Sequence, residues 1–193
     1  MAKRKYEFRP DKYRTDILGK LYLTPTQRMN VLRWVLHSAL LVVLSLIQDV
    51  VLCKASFFGT TTDLVPCAII LICVQLGGDR GCIFTLLAAI LYKFSGSSPG
   101  YHVIALIPLL GILAAVVRQI VFRRSFSSVF LCAGIATMLY ELAIFAFGLL
   151  FQNTVPMRFV RFPITGALSL LSYPILYPVT KAIEKIGDRT WKD

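Results

Sequence analysis

Apolar residues in this chain come in long, nearly unbroken runs, and the polar residues gather between the runs. No stretch shows the strict alternation of a barrel strand. A helix that crosses the ~30 Å hydrocarbon layer needs about 20 mostly apolar residues. Four runs meet that length, at 31–52, 101–121, 126–151 and 160–180. Two shorter runs, 64–77 and 81–94, are joined by the turn Gly77-Gly78-Asp79-Arg80-Gly81. Backbone in lipid must satisfy its own polar groups, so each run is expected to be a helix. A re-entrant hairpin for the short pair would carry Asp79 and Arg80 into the membrane, at about 2.5–3.5 kcal/mol per charge. Two slightly short crossing helices are therefore expected. The predicted fold is all-α, a polytopic membrane protein with about six transmembrane helices.

The charges fix an orientation. Of the 21 Lys and Arg residues, seventeen fall on one side of a six-span arrangement and four on the other. The poor side holds Lys54, Lys93, Arg158 and Arg161. Short Lys/Arg-rich loops stay in the cytoplasm, so both termini are expected there. This divides the chain into a basic N-terminal tail (1–30), a six-helix domain (31–180) and a short C-terminal tail (181–193). The first tail carries aromatic residues between its basic ones, which suits an anionic lipid surface. It is too long and too charged for a signal peptide. The second tail has Ile183 and Ile186 on one side, as an interfacial helix continuing the last span would.

Composition agrees with this picture. The 193 residues are 56% apolar and only 16% charged, against roughly 45–50% and about 25% in ordinary soluble domains. A net charge of +11 raises nucleic acid as a partner. The basic residues sit at the ends of apolar runs, however, so no nucleic-acid contact is expected. Five cysteines without C-x-x-C spacing indicate neither a disulfide framework nor a zinc site. They read as small apolar packing residues.

A few polar residues need a reason. Glu141 lies well inside the fifth run, where a carboxyl requires a partner, a proton or water. Gln48 and Asp49 end the first run; an interior Gln can hydrogen-bond between helices. Asp63 opens the second run beside Thr60, Thr61 and Thr62 and reads as a helix cap. His37 is expected at the membrane interface and His102 at the far start of the fourth run. Gly77/Gly81 and Gly111/Ala115 have the spacing that lets helices approach closely. Pro163, Pro174 and Pro178 are expected to bend or end the last run. Nucleophile-elbow, zincin and Walker signatures are missing, so no catalytic, metal or cofactor site is assigned.

The order of these landmarks carries a resemblance. The first run closes on Leu46-Ile47-Gln48-Asp49, and Thr62-Asp63-Leu64-Val65-Pro66 opens the second. The glycine turn follows, then Ile90-Leu91-Tyr92-Lys93, the loop Gly96-Ser97-Ser98-Pro99-Gly100, and a run centred on Gly111. Over residues 31–180 this resembles the rod shape-determining MreD family. That family often has Pro-Asp-Leu where Thr62-Asp63-Leu64 stands here, and commonly an Asp at Lys93; the long basic tail is also unusual for it.

What the resemblance implies is a non-enzymatic scaffold of the bacterial cell-elongation machinery in the cytoplasmic (inner) membrane. Its implied partners are an MreC-like membrane protein, the MreB filament, a RodA-type polymerase and a penicillin-binding transpeptidase. Candidate partner contacts are Gln48, Asp49, Asp63, Lys93 and Glu141. The competing reading is the substrate-binding component of an energy-coupling-factor vitamin transporter, similar in size and layout. Its pocket would draw on Tyr92, Tyr101, His102 and Glu141.

Overall fold

The computed structural model describes residues 25–52, 54, 62–96, 98–121, 126–151 and 159–186, and among these it is helical with no strand. Helix α1 (Pro25–Ile47) runs into a π-helical turn over Gln48–Leu52. Then come α2 (Leu64–Leu76), α3 (Gly78–Phe94), α4 (Val103–Val121) and α5 (Phe126–Leu150). The last two are α6 (Arg161–Leu170) and α7 (Tyr173–Lys185). By length and composition α1, α4 and α5 can each cross a membrane, and α6 with α7 makes a fourth candidate bent by 45°.

The shortest of the inner helices occupies the centre. At 13 residues, α2 is only about 20 Å long, yet every residue from Val65 to Val74 is buried. Helices α1, α3, α4, α5, α6 and α7 all pack on it. A helix apolar all round is stable only when wholly enclosed, and α2 is enclosed on every side. Around it the usual soluble pattern is inverted. In α3 the buried stripe is Gly81, Phe84, Thr85, Ala88, Ala89 and Tyr92, spaced as one helix face, whereas Ile83, Leu86, Leu87, Leu91 and Phe94 face outward. Phe94 is 83% exposed and Ile120 of α4 77%, while Thr85, Thr137 and Ser169 are fully buried. Lipid, not water, is the solvent such an exterior suits.

Glycines set how closely the helices meet α2. A Cβ at Gly81 would stand 2.8 Å from the Cys73 carbonyl oxygen, and one at Gly111 3.2 Å from Cys73 Sγ. The small-residue spacings thus mark true close approaches, of α3 and of α4 against the same turn of α2. Cys67, Cys73 and Cys132 are buried free thiols and Cys82 is half-buried.

Several expectations are corrected. The reversal between α2 and α3 needs one residue and not five: Gly77, at φ +86°, donates to the Cys73 carbonyl, and α3 starts at Gly78. A single left-handed glycine is enough to end one helix and turn the chain. Helix α1 opens six residues before its apolar run, at Pro25, whose fixed φ favours a first helical turn. That early start carries His37 more than three turns into the helix. It is 2% exposed, with Nδ1 2.8 Å from the Arg33 carbonyl and its ring edge-on to Phe84, so it packs inside the bundle. The last run, by contrast, bends as its prolines predict, into two helices, because Pro174 has no N–H for the Leu170 carbonyl.

The helix ends segregate by charge. Arg33 Nε donates to the Ile186 carbonyl at 2.8 Å, so the start of α1 meets the end of α7. Arg118, in the last turn of α4, donates to the Val74 carbonyl at the end of α2. Arg28, Arg33, Arg80, Arg118, Lys181 and Lys185 therefore share one end, called here the basic end. Residues 1–24 and 187–193, Cys53, Thr60, Thr61, Arg123, Arg124 and Arg158 lie outside the described residues, and with them most of both predicted tails.

Candidate functional site

At the opposite end, the first turn of α2 has backbone N–H groups with no partner inside the helix. Asp63 stands at the N-cap position, but its side chain makes no cap hydrogen bond, contrary to the sequence expectation. Other helices supply the partners. Gln48 Oε1 accepts from Val65 N at 2.9 Å, and Ser169 Oγ accepts from Asp63 N at 3.1 Å. The π-helical turn begins at Gln48, the position where α1 must present a polar side chain to α2. Local widening of this kind recurs where a helix re-aims a functional group.

Freed from capping, the Asp63 carboxyl lies beside that of Glu141 of α5. Glu141 is 5% exposed, and among the described residues its Oε1 finds no N–H or O–H donor. Two carboxyl groups can hydrogen-bond only when one carries a proton, because ionised carboxylates are acceptors alone. Side by side in the interior, the two groups need at least one proton to hydrogen-bond.

The pair is ringed by further polar groups. Tyr92 of α3 lies near Asp63, Glu141 and Gln48, and Tyr140 of α5 near Asp63, Tyr92 and Glu141. Both phenols are buried, Tyr140 completely, and among the described residues neither hydroxyl has a well-formed hydrogen bond. Gly166 of α6 packs over Glu141: a Cβ there would stand 3.6 Å from Glu141 Cγ and 2.6 Å from Met138 Sδ. One layer deeper, Tyr173 Oη donates to the Ala133 carbonyl at 3.1 Å and contacts Thr137 Oγ1, which also donates to that carbonyl. Helices α1, α2, α3, α5, α6 and α7 therefore meet in one polar interior.

Of the residues singled out in the sequence, Gln48, Asp63 and Glu141 come together here. Asp49 and Lys93 do not. Asp49 is exposed at the end of α1, and Lys93 holds its ammonium 4.4 Å from the centre of the Tyr101 ring. His102 stacks on Phe147 at 4.9 Å, away from the carboxyl pair. Tyr101 is 82% exposed. Tyr92 and Glu141 thus belong to the interior cluster, whereas Tyr101 and His102 do not. Ser169 was not singled out; a lone Ser in an apolar run carries no local mark of a bond made 106 residues away.

Gln48→Leu tests the cap. It leaves the Val65 N–H buried without an acceptor, a loss of about 1–3 kcal/mol. Thermal unfolding in detergent micelles should register it, while Gln48→Glu, which keeps an acceptor, should lose less.

Among the described residues no group of three or more His, Cys, Asp or Glu side chains converges as a metal site would. No family model, curated protein or solved structure matches the chain.

Proposed function

We propose that this chain is a non-enzymatic membrane scaffold of the MreD type, serving the cell-elongation machinery of a bacterium. It would cross the cytoplasmic membrane six times, with α6 and α7 as one bent span and both termini in the cytoplasm. Its basic end would face the cytoplasm by the Lys/Arg asymmetry. The observation that carries the reading is a division of labour at the opposite end. Gln48, Asp63, Ser169 and Glu141 face inward and hold the helices in register. Asp49 and Lys93 stay at the surface as opposite charges at the ends of α1 and α3.

A scaffold needs a rigid body and a small charged address, and this arrangement supplies both. The partner segment would be the stretch of an MreC-like protein just outside the membrane, reading Asp49 and Lys93. The MreB filament, a RodA-type polymerase and a penicillin-binding transpeptidase complete the implied set. Asp63 and Glu141, inside the bundle, support the address and do not touch the partner. A photocrosslinking amino acid at position 49 or 93 in living cells should trap a single-span membrane protein, and Asp49→Lys should abolish the product. Crosslinks to lipid alone would overturn the reading.

One observation favours the transporter reading: the partnerless hydroxyls of Tyr92 and Tyr140 sit beside Glu141. A polar interior of that kind would suit a small polar substrate. A vitamin retained stoichiometrically through purification, and lost in Tyr140→Phe, would favour it.

A further inference from the structure

A groove of about 610 Å³ runs between α1 and α3, with α2 as its floor. From Trp34 to Asp49 it extends along fifteen residue steps of α1, about 22 Å, most of a ~30 Å hydrocarbon core. Both helices run away from the basic end, and there Trp34 and Phe84 meet edge to face at 5.8 Å and close the groove. From that contact the walls step in one rhythm of four, three and four residues. On α1 the steps reach Ser38, Leu41 and Ser45, and on α3 Ala88, Leu91 and Ser95. Large residues thus share a level with large ones, and small with small. This is the seam spacing by which helices interlock, side chains of one entering gaps in the next. The two small levels recur after seven residues, about 10.5 Å along the helix. The rim beside them is apolar and open, with Val42 58%, Leu46 59% and Leu87 50% exposed. Among the described residues that line the groove, Asp49 at its far end is the only charged one.

We propose that the groove seats one transmembrane helix of a partner protein. That helix carries bulky apolar side chains seven residues apart and a Lys or Arg where it passes Asp49. The inference rests on the scaffold reading only for there being a membrane partner; it adds where that partner docks within the bilayer, and by what chemistry. Between helices in lipid there is no hydrophobic drive, so association depends on close packing at small residues. The levels of Ser38 with Ala88 and of Ser45 with Ser95 supply it. An acyl chain is uniform along its length and gains nothing from gaps at a fixed repeat. A second copy docked two-fold in the same groove would bring Asp49 to Asp49, and like charges across an interface repel. A basic residue on the incoming helix is the complement that Asp49 selects.

Photocrosslinking in living cells tests this, with a diazirine amino acid at position 42, 46 or 87 of the full-length chain. Position 109 of α4 is the control, 64% exposed and outside the groove. Mass spectrometry of the products locates the crosslinked residues. The three groove positions should trap one membrane protein within its transmembrane segment, a segment with Lys or Arg at the end away from the cytoplasm. Position 109 should not trap it. Asp49→Lys should lower the yield from position 87 about fivefold, the worth of an exposed ion pair, and Asp49→Glu should leave it unchanged. Ser45→Phe, which fills one gap, should abolish the product in a chain that accumulates normally. Crosslinks to lipid alone, to a second copy, or in equal yield from position 109 would overturn the proposal. So would products at positions 49 and 93 with none at 42, 46 and 87, a result that spares the scaffold reading. A helix trapped in the groove whose loss leaves cell shape intact would uphold the groove and overturn the scaffold reading instead.

Discussion

Glu141→Ala is expected to cost about 1–3 kcal/mol of stability, because it leaves the Asp63 carboxyl in the bundle interior without its neighbour. Glu141→Gln should behave very differently. Its amide can donate to the Asp63 carboxyl, which replaces a proton between the two groups with a permanent N–H donor. By the same reasoning Asp63→Asn should be tolerated, and Asp63→Asn with Glu141→Gln should fold. Thermal unfolding in one detergent, followed by circular dichroism, separates these outcomes. If Gln and Ala at position 141 lose equal stability, position 141 is not held to Asp63 by a hydrogen bond. Asp63→Ala should resemble Glu141→Ala, because each leaves the other carboxyl in the same interior.

Gly81→Ala is the second large effect. The new Cβ would lie 2.8 Å from the Cys73 carbonyl oxygen, and that atom belongs to the backbone of the central helix and cannot swing aside. Overpacking of this kind costs about 1–3 kcal/mol, and α3 must move outward to relieve it. Gly96 is the control. At φ +84° it has no atom within 4 Å of an added Cβ, so Gly96→Ala incurs only left-handed backbone strain, about 1–2 kcal/mol. Gly81→Ser should be worse than Gly81→Ala, whereas Gly96→Asn should recover most of the wild-type stability, because Asn tolerates that conformation. Should Gly81→Ala prove as mild as Gly96→Asn, the close approach of α3 to α2 is not a packing constraint.

Much of the architecture is written locally in the chain. Helix α2 begins at Leu64 and α5 at Phe126, where their apolar runs begin, because desolvation of an apolar stretch and helix formation start together in lipid. Gly77 and Gly81 could be read as a turn and a close approach from their spacing. What was not local was harder to read. Asp63 looks like a cap by its neighbours, but the cap comes from Gln48 and Ser169, fifteen and 106 positions away in sequence. His37 sits near a polar segment, and only its packing against Phe84 of α3 places it inside. The bend before Tyr173 was expected from its prolines, although not its place within the run. The pairing of Asp63 with Glu141 had no sequence signal beyond the general rule that an interior carboxyl needs a partner. The Asp49 and Lys93 surface charges share a bundle end because the helices alternate in direction, which the spans alone imply.

Depletion of this protein in its native host, with cell outline and the sites of new wall insertion followed together, tests the scaffold reading most directly. Rods that round up within a few generations, with wall insertion dispersed, and that recover with wild-type protein but not with Asp49→Lys, are the expected result. Rods that keep their shape and instead lose uptake of one vitamin would contradict it.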